Sequence, residues 1–235
     1  MTLLFDAIYA LALLLGWPLL VYRRLRRGPG SLSLGERLGR GRSPPVAARC
    51  VWVHGVSLGE VNASRTLVAE LRRSMPEAAV VISSTTRTGL DRARQVYPDL
   101  DVFRFPLDLS CVVARVFDSV RPSLVVLLEL ELWPNLIEIA ARRRVPVVIA
   151  NGRLTEHGTM RHFRRPVLRA VARRMLRRLA WIGAQDATYA RRFIELGARA
   201  DTVEVCGSLK YDAADVSDAV EGQQAHTSTV SARAP

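Results

Sequence analysis

From Cys50 onward, seven short apolar runs alternate with amphipathic stretches of helical period. The runs are "CVWVH", "AAVVISS", "DVFRF", "SLVVLLEL", "VPVVIAN", "AWIGAQ" and "TVEVCG". Most are continuous in Val, Ile and Leu rather than alternating with polar residues, which marks strands covered on both faces. Helical patterns fill 59–74, 109–119, 133–144 and 186–196, with "TGLDRARQVY" and a long basic stretch at about 161–179 between them. Strand and helix in strict alternation give a parallel sheet with crossover helices. The expected fold is therefore α/β, a Rossmann-like doubly wound domain, in which ligands bind at the carboxyl ends of the strands.

The chain has 235 residues, about half of them hydrophobic, enough to build one sizeable core. Its formal net charge is +12, carried almost wholly by arginine, since Lys210 is the only lysine. Such an excess points to an anionic partner: phosphate, a membrane surface or nucleic acid. Nucleic acid is disfavoured because no aromatic platform or recognition motif accompanies the charge. Cys50, Cys111 and Cys206 are odd in number and scattered, so they read as small buried residues in a reducing compartment. The histidines have no ligand spacing with them, and no metal site is expected.

"LLFDAIYALALLLGWPLLVYRRLRR" begins at Leu3 and carries no charge from 7 to 22. Its basic cluster, at 23, 24, 26 and 27, follows the apolar run, the reverse of a cleavable leader. Residues 1–27 therefore read as a membrane-anchor helix, spanning or interfacial, with its basic flank on the cytoplasmic side. Residues 28–48, rich in Gly, Ser, Pro and Arg, form a connector in which "LGERLGR" makes a helical turn or two. The α/β domain covers 49–212, and 213–235 has the composition of a disordered tail.

Four stretches carry chemistry. "HGVSLGE" ends the first strand and puts Glu60 in the first turn of the next helix, with Ser57 and Gly59 permitting close approach. A carboxylate there suits the helix dipole, and it also suits a general base. "LELELWPN" sets Glu129 and Glu131 at strand spacing, hence on one side, and Pro134 in the first turn of a helix. "SSTTRTG" offers Thr86, Arg87 and Thr88 before a helix, suited to phosphate or sugar, or simply to capping. "NGRLT", with Asn151 and Arg153, is a similar polar turn. "RHFRRPVLRAVARRMLRRL" has eight arginines, including Arg161, Arg164 and Arg165, and no acid. Its Phe163, Val167, Val171, Met175 and Leu179 form a stripe that packs on the sheet, leaving arginines for an anionic lipid surface.

In this order, and with "GSLKYD" at 207–212, the stretches resemble the N-terminal half of the Kdo transferases. That family transfers 3-deoxy-D-manno-oct-2-ulosonic acid from CMP-Kdo to the lipid A precursor of lipopolysaccharide. The resemblance implies the acceptor-binding half of a GT-B glycosyltransferase at the cell inner membrane. It implies Glu60 as the base that deprotonates an acceptor hydroxyl, which attacks the Kdo anomeric carbon with inversion. Glu131 and Glu129 then shape the acceptor site, and Ser57, Gly59, Thr86, Arg87, Thr88, Asn151, Arg153 and the arginines at 161, 164 and 165 line it. No cofactor or metal is implied; CMP-Kdo is the donor substrate. The chain departs from the family pattern at Gly55 and Leu130, and the donor domain is expected to be absent, to be supplied by a separate donor-domain chain. The alternative is a non-catalytic module binding lipid A precursor or anionic lipid.

Overall fold

The computed structural model describes residues 34–39, 47–156, 160, 161, 163, 165–209 and, among the first sixteen, 2, 5–7, 9–11 and 14–16. The expected basic flank of the anchor, most of the connector, Arg164 and residues 210–235, the expected tail among them, lie outside the described residues.

Seven parallel strands form one sheet in the order β3-β2-β1-β4-β5-β6-β7. They are β1 (Arg49–His54), β2 (Ala78–Ser84), β3 (Asp101–Arg104), β4 (Leu124–Leu128), β5 (Val147–Gly152), β6 (Trp181–Ala184) and β7 (Val203–Val205). A single helical turn, α1 (Leu34–Arg37), precedes them. The crossovers are α2 (Leu58–Ser74), α3 (Arg87–Val96), α4 (Ser110–Val120), α5 (Pro134–Arg142), α6 (Pro166–Leu176) and α7 (Ala187–Leu196). The chain winds outward from β1 to β3, then returns beside β1 as β4 and winds the other way. The strand order thus reverses between β1 and β4, where a parallel sheet opens a crevice for ligands.

Two apolar layers follow from the winding. Val51, Val53, Val80 and Ile82 pack beneath α2 and α3, while Trp52, Val125, Leu127 and Ile149 face α4, α5, α6 and α7. Trp52 is fully buried and meets Phe103, Phe105 and Phe117 at 5.5–6.0 Å. The wholly apolar strand runs are explained by this double coverage.

Several expectations shift. The strand carrying Glu129 ends at Leu128, before either glutamate. The basic helix starts at Pro166, five residues later than its period suggested, because proline suits a first turn. Its buried stripe is Ala172, Met175 and Leu176, followed by Leu179 beyond the helix end; Val167 is exposed and Val171 only partly buried. Cys50 is buried, whereas Cys111 and Cys206 are exposed.

The described N-terminal residues are helical, and no described helix is long and apolar enough to cross a membrane. The segment docks on the sheet's ligand edge. Asp6 accepts hydrogen bonds from the backbone N–H of Ser110 at 2.7 Å, from its hydroxyl, and from Asn135 Nδ2 at 3.0 Å. Buried Asp108 accepts the N–H groups of Asn135 and Leu136 at 3.0 and 2.9 Å, and the Tyr9 hydroxyl. Neither α4 nor α5 has a side-chain cap of its own. Two distant aspartates therefore satisfy their first-turn N–H groups and oppose their dipoles. Replacing Asp108 by Ala should lower stability by about 2 kcal/mol, the upper range for a lost cap, measured as a shift in the urea midpoint at unchanged slope.

Candidate active site

The turn after β1 contains the first candidate. Ser57 is the N-cap of α2 in an extended conformation (φ −109°, ψ 163°), and its Oγ accepts the Glu60 N–H at 3.3 Å. Glu60 closes the reciprocal half: its carboxylate accepts the N–H of Val56 at 2.9 Å and of Ser57 at 3.3 Å, and the Ser57 hydroxyl at 2.7 Å. This is a capping box, with an additional donor from Val56. Glu60 is nonetheless a group under tension: burial raises its pKa, the N–H and hydroxyl donors pull it back, and the charge of Glu129 raises it again.

The second strand's turn locks the first. The Val56 carbonyl accepts Thr86 Oγ1 at 2.7 Å, Ser84 Oγ at 3.0 Å and the Thr86 N–H at 3.3 Å. Thr86 Oγ1 also accepts the Gly89 N–H at 3.1 Å as the N-cap of α3. A Cβ at Gly89 would lie 2.3 Å from Ser84 Oγ and 3.0 Å from the Val56 oxygen, so only glycine fits. Thr86 is thus turned inward to hold the Glu60 turn. Arg87 and Thr88 remain exposed at the helix start, Arg87 with a loose 3.7 Å approach to Asp91. Gly59 is exposed, with nothing but Ser57 Oγ, at 3.8 Å, near its missing Cβ. The room beside it is open to a ligand.

Glu129 and Glu131 come together with Glu60, but not by strand alternation. Glu129 adopts a left-handed conformation (φ 56°) just past β4, with its N–H bonded to the Ala150 carbonyl at 3.0 Å. Such a conformation is costly for a residue with a Cβ and concentrates at functional sites. The turn carries Leu130 onto the larger core and swings Glu131 back toward Glu60. Burial, then the charge of Glu60, pushes the Glu131 pKa up to about 8, with the charge of Glu129 adding to the rise. Trp133 Nε1–H lies beside this carboxyl and lowers the value, without closing a hydrogen bond of good geometry.

The strand reversal therefore assembles an acidic centre from two loops, one after β1 and one after β4. His54 underlies it, a residue that sequence reasoning gave no role. It is fully buried, stacked 4.0 Å from Phe105, and its Nδ1 lies 2.9 Å from Ser83 Oγ. Burial pulls its pKa down to about 3, so it stays neutral and shuttles no proton near pH 7. Its one sequence signal is its place, the last residue of the first strand.

Asn151 also has a left-handed backbone (φ 59°) at the end of β5. Its carbonyl accepts Gln185 Nε2 at 3.1 Å, and its Oδ1 accepts the Leu209 N–H at 3.2 Å, tying "GSL" to the ligand edge. Arg153, Arg161 and Arg165 are exposed in the segment before α6. The later arginines of the basic helix are not at the site, because α6 runs from the ligand edge to the opposite one. There Arg174 and Arg178 pair with the buried Glu138 at 3.6 and 3.2 Å, and Arg142 approaches it at 3.9 Å. Among the described residues no group of three or more His, Cys, Asp or Glu could hold a metal ion.

The native state keeps a proton on Glu131 up to about pH 8, whereas an unfolded glutamate releases it near 4.5. Its contribution to stability is thus fullest below that lower value and is lost as pH rises through the window. Glu131→Gln should flatten this decline, read from urea unfolding at a series of pH values. An unchanged slope would show that Glu131 holds no such proton.

Residues 33–213 match the model of the 3-deoxy-D-manno-octulosonic-acid transferase (kdotransferase) family. The chain is 31% identical to the 3-deoxy-D-manno-octulosonic acid transferase of Chlamydophila psittaci over 89% of its own length and 48% of that protein's. It is 33% identical to the enzyme of that name from Haemophilus influenzae, over 76% of this chain and 42% of the relative. The chain thus spans about half the length of the relatives it matches. Among solved structures, a UDP-GlcNAc 2-epimerase from Neisseria meningitidis bound to UDP-GlcNAc superposes with a TM-score of 0.53. It has 16% identity, over 72% of this chain and 49% of that one. At that identity the likeness concerns the fold.

Proposed function

The chain belongs to the 3-deoxy-D-manno-octulosonic-acid transferase family, and from that premise we propose that it is the acceptor-holding half of a GT-B Kdo transferase of lipopolysaccharide biosynthesis. In this reading the donor is CMP-Kdo and the acceptor a lipid A precursor. The observation that carries it is the pair of unequal carboxyls at the strand reversal. Glu60 receives two N–H groups and a hydroxyl, which favour its anion. Glu131 has burial and a like charge against it and keeps its proton. Burial raises both carboxyls, but the donors around Glu60 hold its rise below that of Glu131, and two neighbouring carboxyls of unequal acidity are what an acid–base reaction uses.

Glu60 then takes the proton from an acceptor hydroxyl as that oxygen attacks the anomeric carbon of Kdo. The carbon–oxygen bond to the CMP phosphate breaks, CMP leaves as the anion, and the configuration inverts. Glu131, protonated, donates a hydrogen bond that orients the acceptor sugar, and Glu129 keeps the proton on Glu131 by its charge. The open room over Gly59, with Ser57, Thr88, Asn151 and Arg153 around the edge, receives the sugar. Thr86 serves it by fixing the turn, and Arg87, Arg161, Arg164 and Arg165 supply positive charge for the acceptor's phosphates. Both substrates must be held together for such a displacement, and the donor comes from a second domain or chain.

We also read the N-terminal segment as the contact with the anionic inner-membrane surface, cytoplasmic face. Leu11, Leu14 and Leu15 are 57%, 71% and 73% exposed. Leu11, Leu14 and Leu15 lie at i, i+3 and i+4, one side of a helix, and the Asp6 docking fixes that side near the ligand edge. The second reading, a non-catalytic lipid-binding module, keeps the same leucines and arginines but gives the carboxyl pair no task.

Glutamine keeps one accepting oxygen for the capping box, but its NH2 stands where the second Glu60 oxygen accepts an N–H. Glu60→Gln should therefore stay folded, with a midpoint lowered less than in the alanine variant, while transfer from CMP-Kdo to a lipid A precursor, assayed with a donor-domain chain of the family present, falls by on the order of 10²–10⁴. Glu60→Ala should lose activity and also about 1 kcal/mol of stability. Full activity in the glutamine variant would leave Glu60 as a cap alone. Leu14→Ser/Leu15→Ser should reduce co-sedimentation with vesicles containing anionic phosphatidylglycerol, with the circular dichroism spectrum unchanged.

A further inference from the structure

At the far flank of the ligand edge two arginines stand together, and among the described residues no acid pairs with either. Arg104 closes β3 and is only 8% exposed, yet its Nε–H meets no acceptor. Arg37 closes α1, and its buried Nε–H is also without one. No ion pair joins either side chain to a carboxylate among the described residues. Burial and the positive charge of Arg104 together lower the Arg37 pKa, so the two guanidinium groups act on each other as like charges.

The arrangement is held from several sides. The Leu107 N–H donates to the Arg37 carbonyl at 2.9 Å, and Arg115 NH1 donates to the Leu38 carbonyl at 2.8 Å. Gly39 turns the chain with φ 65°, and a Cβ there would lie 2.7 Å from Val116 Cγ2. Glu36 faces Arg94 instead, at 3.8 Å. It is the only acidic residue between positions 7 and 59. Arg104 pairs with Ser84 in the sheet, so it leaves on the same face as Ser84, which packs against the first turn of α3. The N–H groups and positive dipole end of α3 thus add to the field.

A buried guanidinium N–H without an acceptor is expensive, and a second positive charge beside it adds to the cost. The cost falls when an anion with several acceptor oxygens enters, and the planar forks of two arginines match a phosphate dianion better than a single carboxylate. We propose that Arg37 and Arg104 form a binding site for a phosphate-class oxyanion on the β3 flank of the ligand edge. β3 is two strands from β1, about 10 Å at ordinary strand spacing. A phosphorylated ligand bound here would extend toward Glu60. The inference stands on the two buried Nε–H groups without acceptors and does not require the transferase reading: phosphate binding tests the site, and sugar transfer tests the reaction.

The test is isothermal titration of the full chain with inorganic phosphate in phosphate-free buffer at constant ionic strength. Saturable binding is expected, with sulfate competing and chloride not. Arg37→Gln and Arg104→Gln should each weaken it at least about tenfold, the loss of one charge-assisted contact. In the absence of phosphate, Arg104→Gln should unfold at no lower temperature than the wild type, because a like charge has been removed. A structural arginine would instead lower it. Arg37→Lys, which keeps the charge and loses the fork, should bind phosphate more weakly at unchanged circular dichroism, and it decides the matter should a glutamine variant not fold. No saturable binding in the wild type, or equal binding in the variants, would overturn the proposal. Phosphatidylcholine vesicles doped with phosphatidic acid separate the sources. Capture lost in both glutamine variants assigns a lipid headgroup, and free phosphate binding without capture assigns a soluble phosphate.

Discussion

The ligand edge depends on one residue's peptide groups, those of Val56. Its N–H holds the Glu60 carboxylate and its carbonyl takes three donors from the Ser84–Thr86 turn. The loops after β1 and β2 are thereby one unit. Their polar groups are matched internally, as buried main-chain groups must be. The consequence for chemistry is precision: Glu60 cannot rotate away without leaving two N–H groups and a hydroxyl unpaired. Gly89 belongs to the same unit, because any side chain there would drive Ser84 and Thr86 off Val56. A motif that reads as a ligand-binding loop is, in good part, a clamp on the carboxylate next door.

The charge of the chain divides in a way its total of +12 conceals. At the edge away from the site, Glu138 gathers Arg142, Arg174 and Arg178, so part of the basic helix neutralises a buried acid. At the ligand edge the signs separate instead. Three acidic side chains converge at the strand reversal, and arginines stand exposed to either side. An acid cluster between positive flanks suits a substrate whose reacting hydroxyl lies between anionic groups. That pattern depends on position in the fold and not on composition.

The sheet was legible because its strands are covered on both faces, which writes them as unbroken apolar runs. β2 was read to its ends, and the others within a few residues. Glu60 at a helix start was legible too; its reciprocal bonding with Ser57, three residues earlier, is what the structure adds. The grouping of Glu129 and Glu131 was foreseen for the wrong reason. Period-two spacing assumes an extended chain, and the left-handed turn at Glu129 replaces it. The stripe on the basic helix slipped because Pro166 starts the helix late and turns Val167 outward. Asp6, Asp108 and Arg37 carried no local signal at all. Their partners lie far along the chain, and only the tertiary fold brings them together.

The distant caps bear on how the site meets its surroundings. Asp6 is tied to the first residue of α4 and, through Asn135, to the first turn of α5. Those helices follow β3 and β4, and the loop of β4 carries Glu129 and Glu131. The exposed leucines of the N-terminal segment are therefore not on a free tether. They hold a fixed place relative to the carboxyls, through hydrogen bonds that satisfy helix ends with no caps of their own. An apolar surface entering a lipid interface would set the depth and tilt of the ligand edge with it. The same aspartates that stabilise two helices thus fix the exposed leucines relative to the carboxyls at the strand reversal.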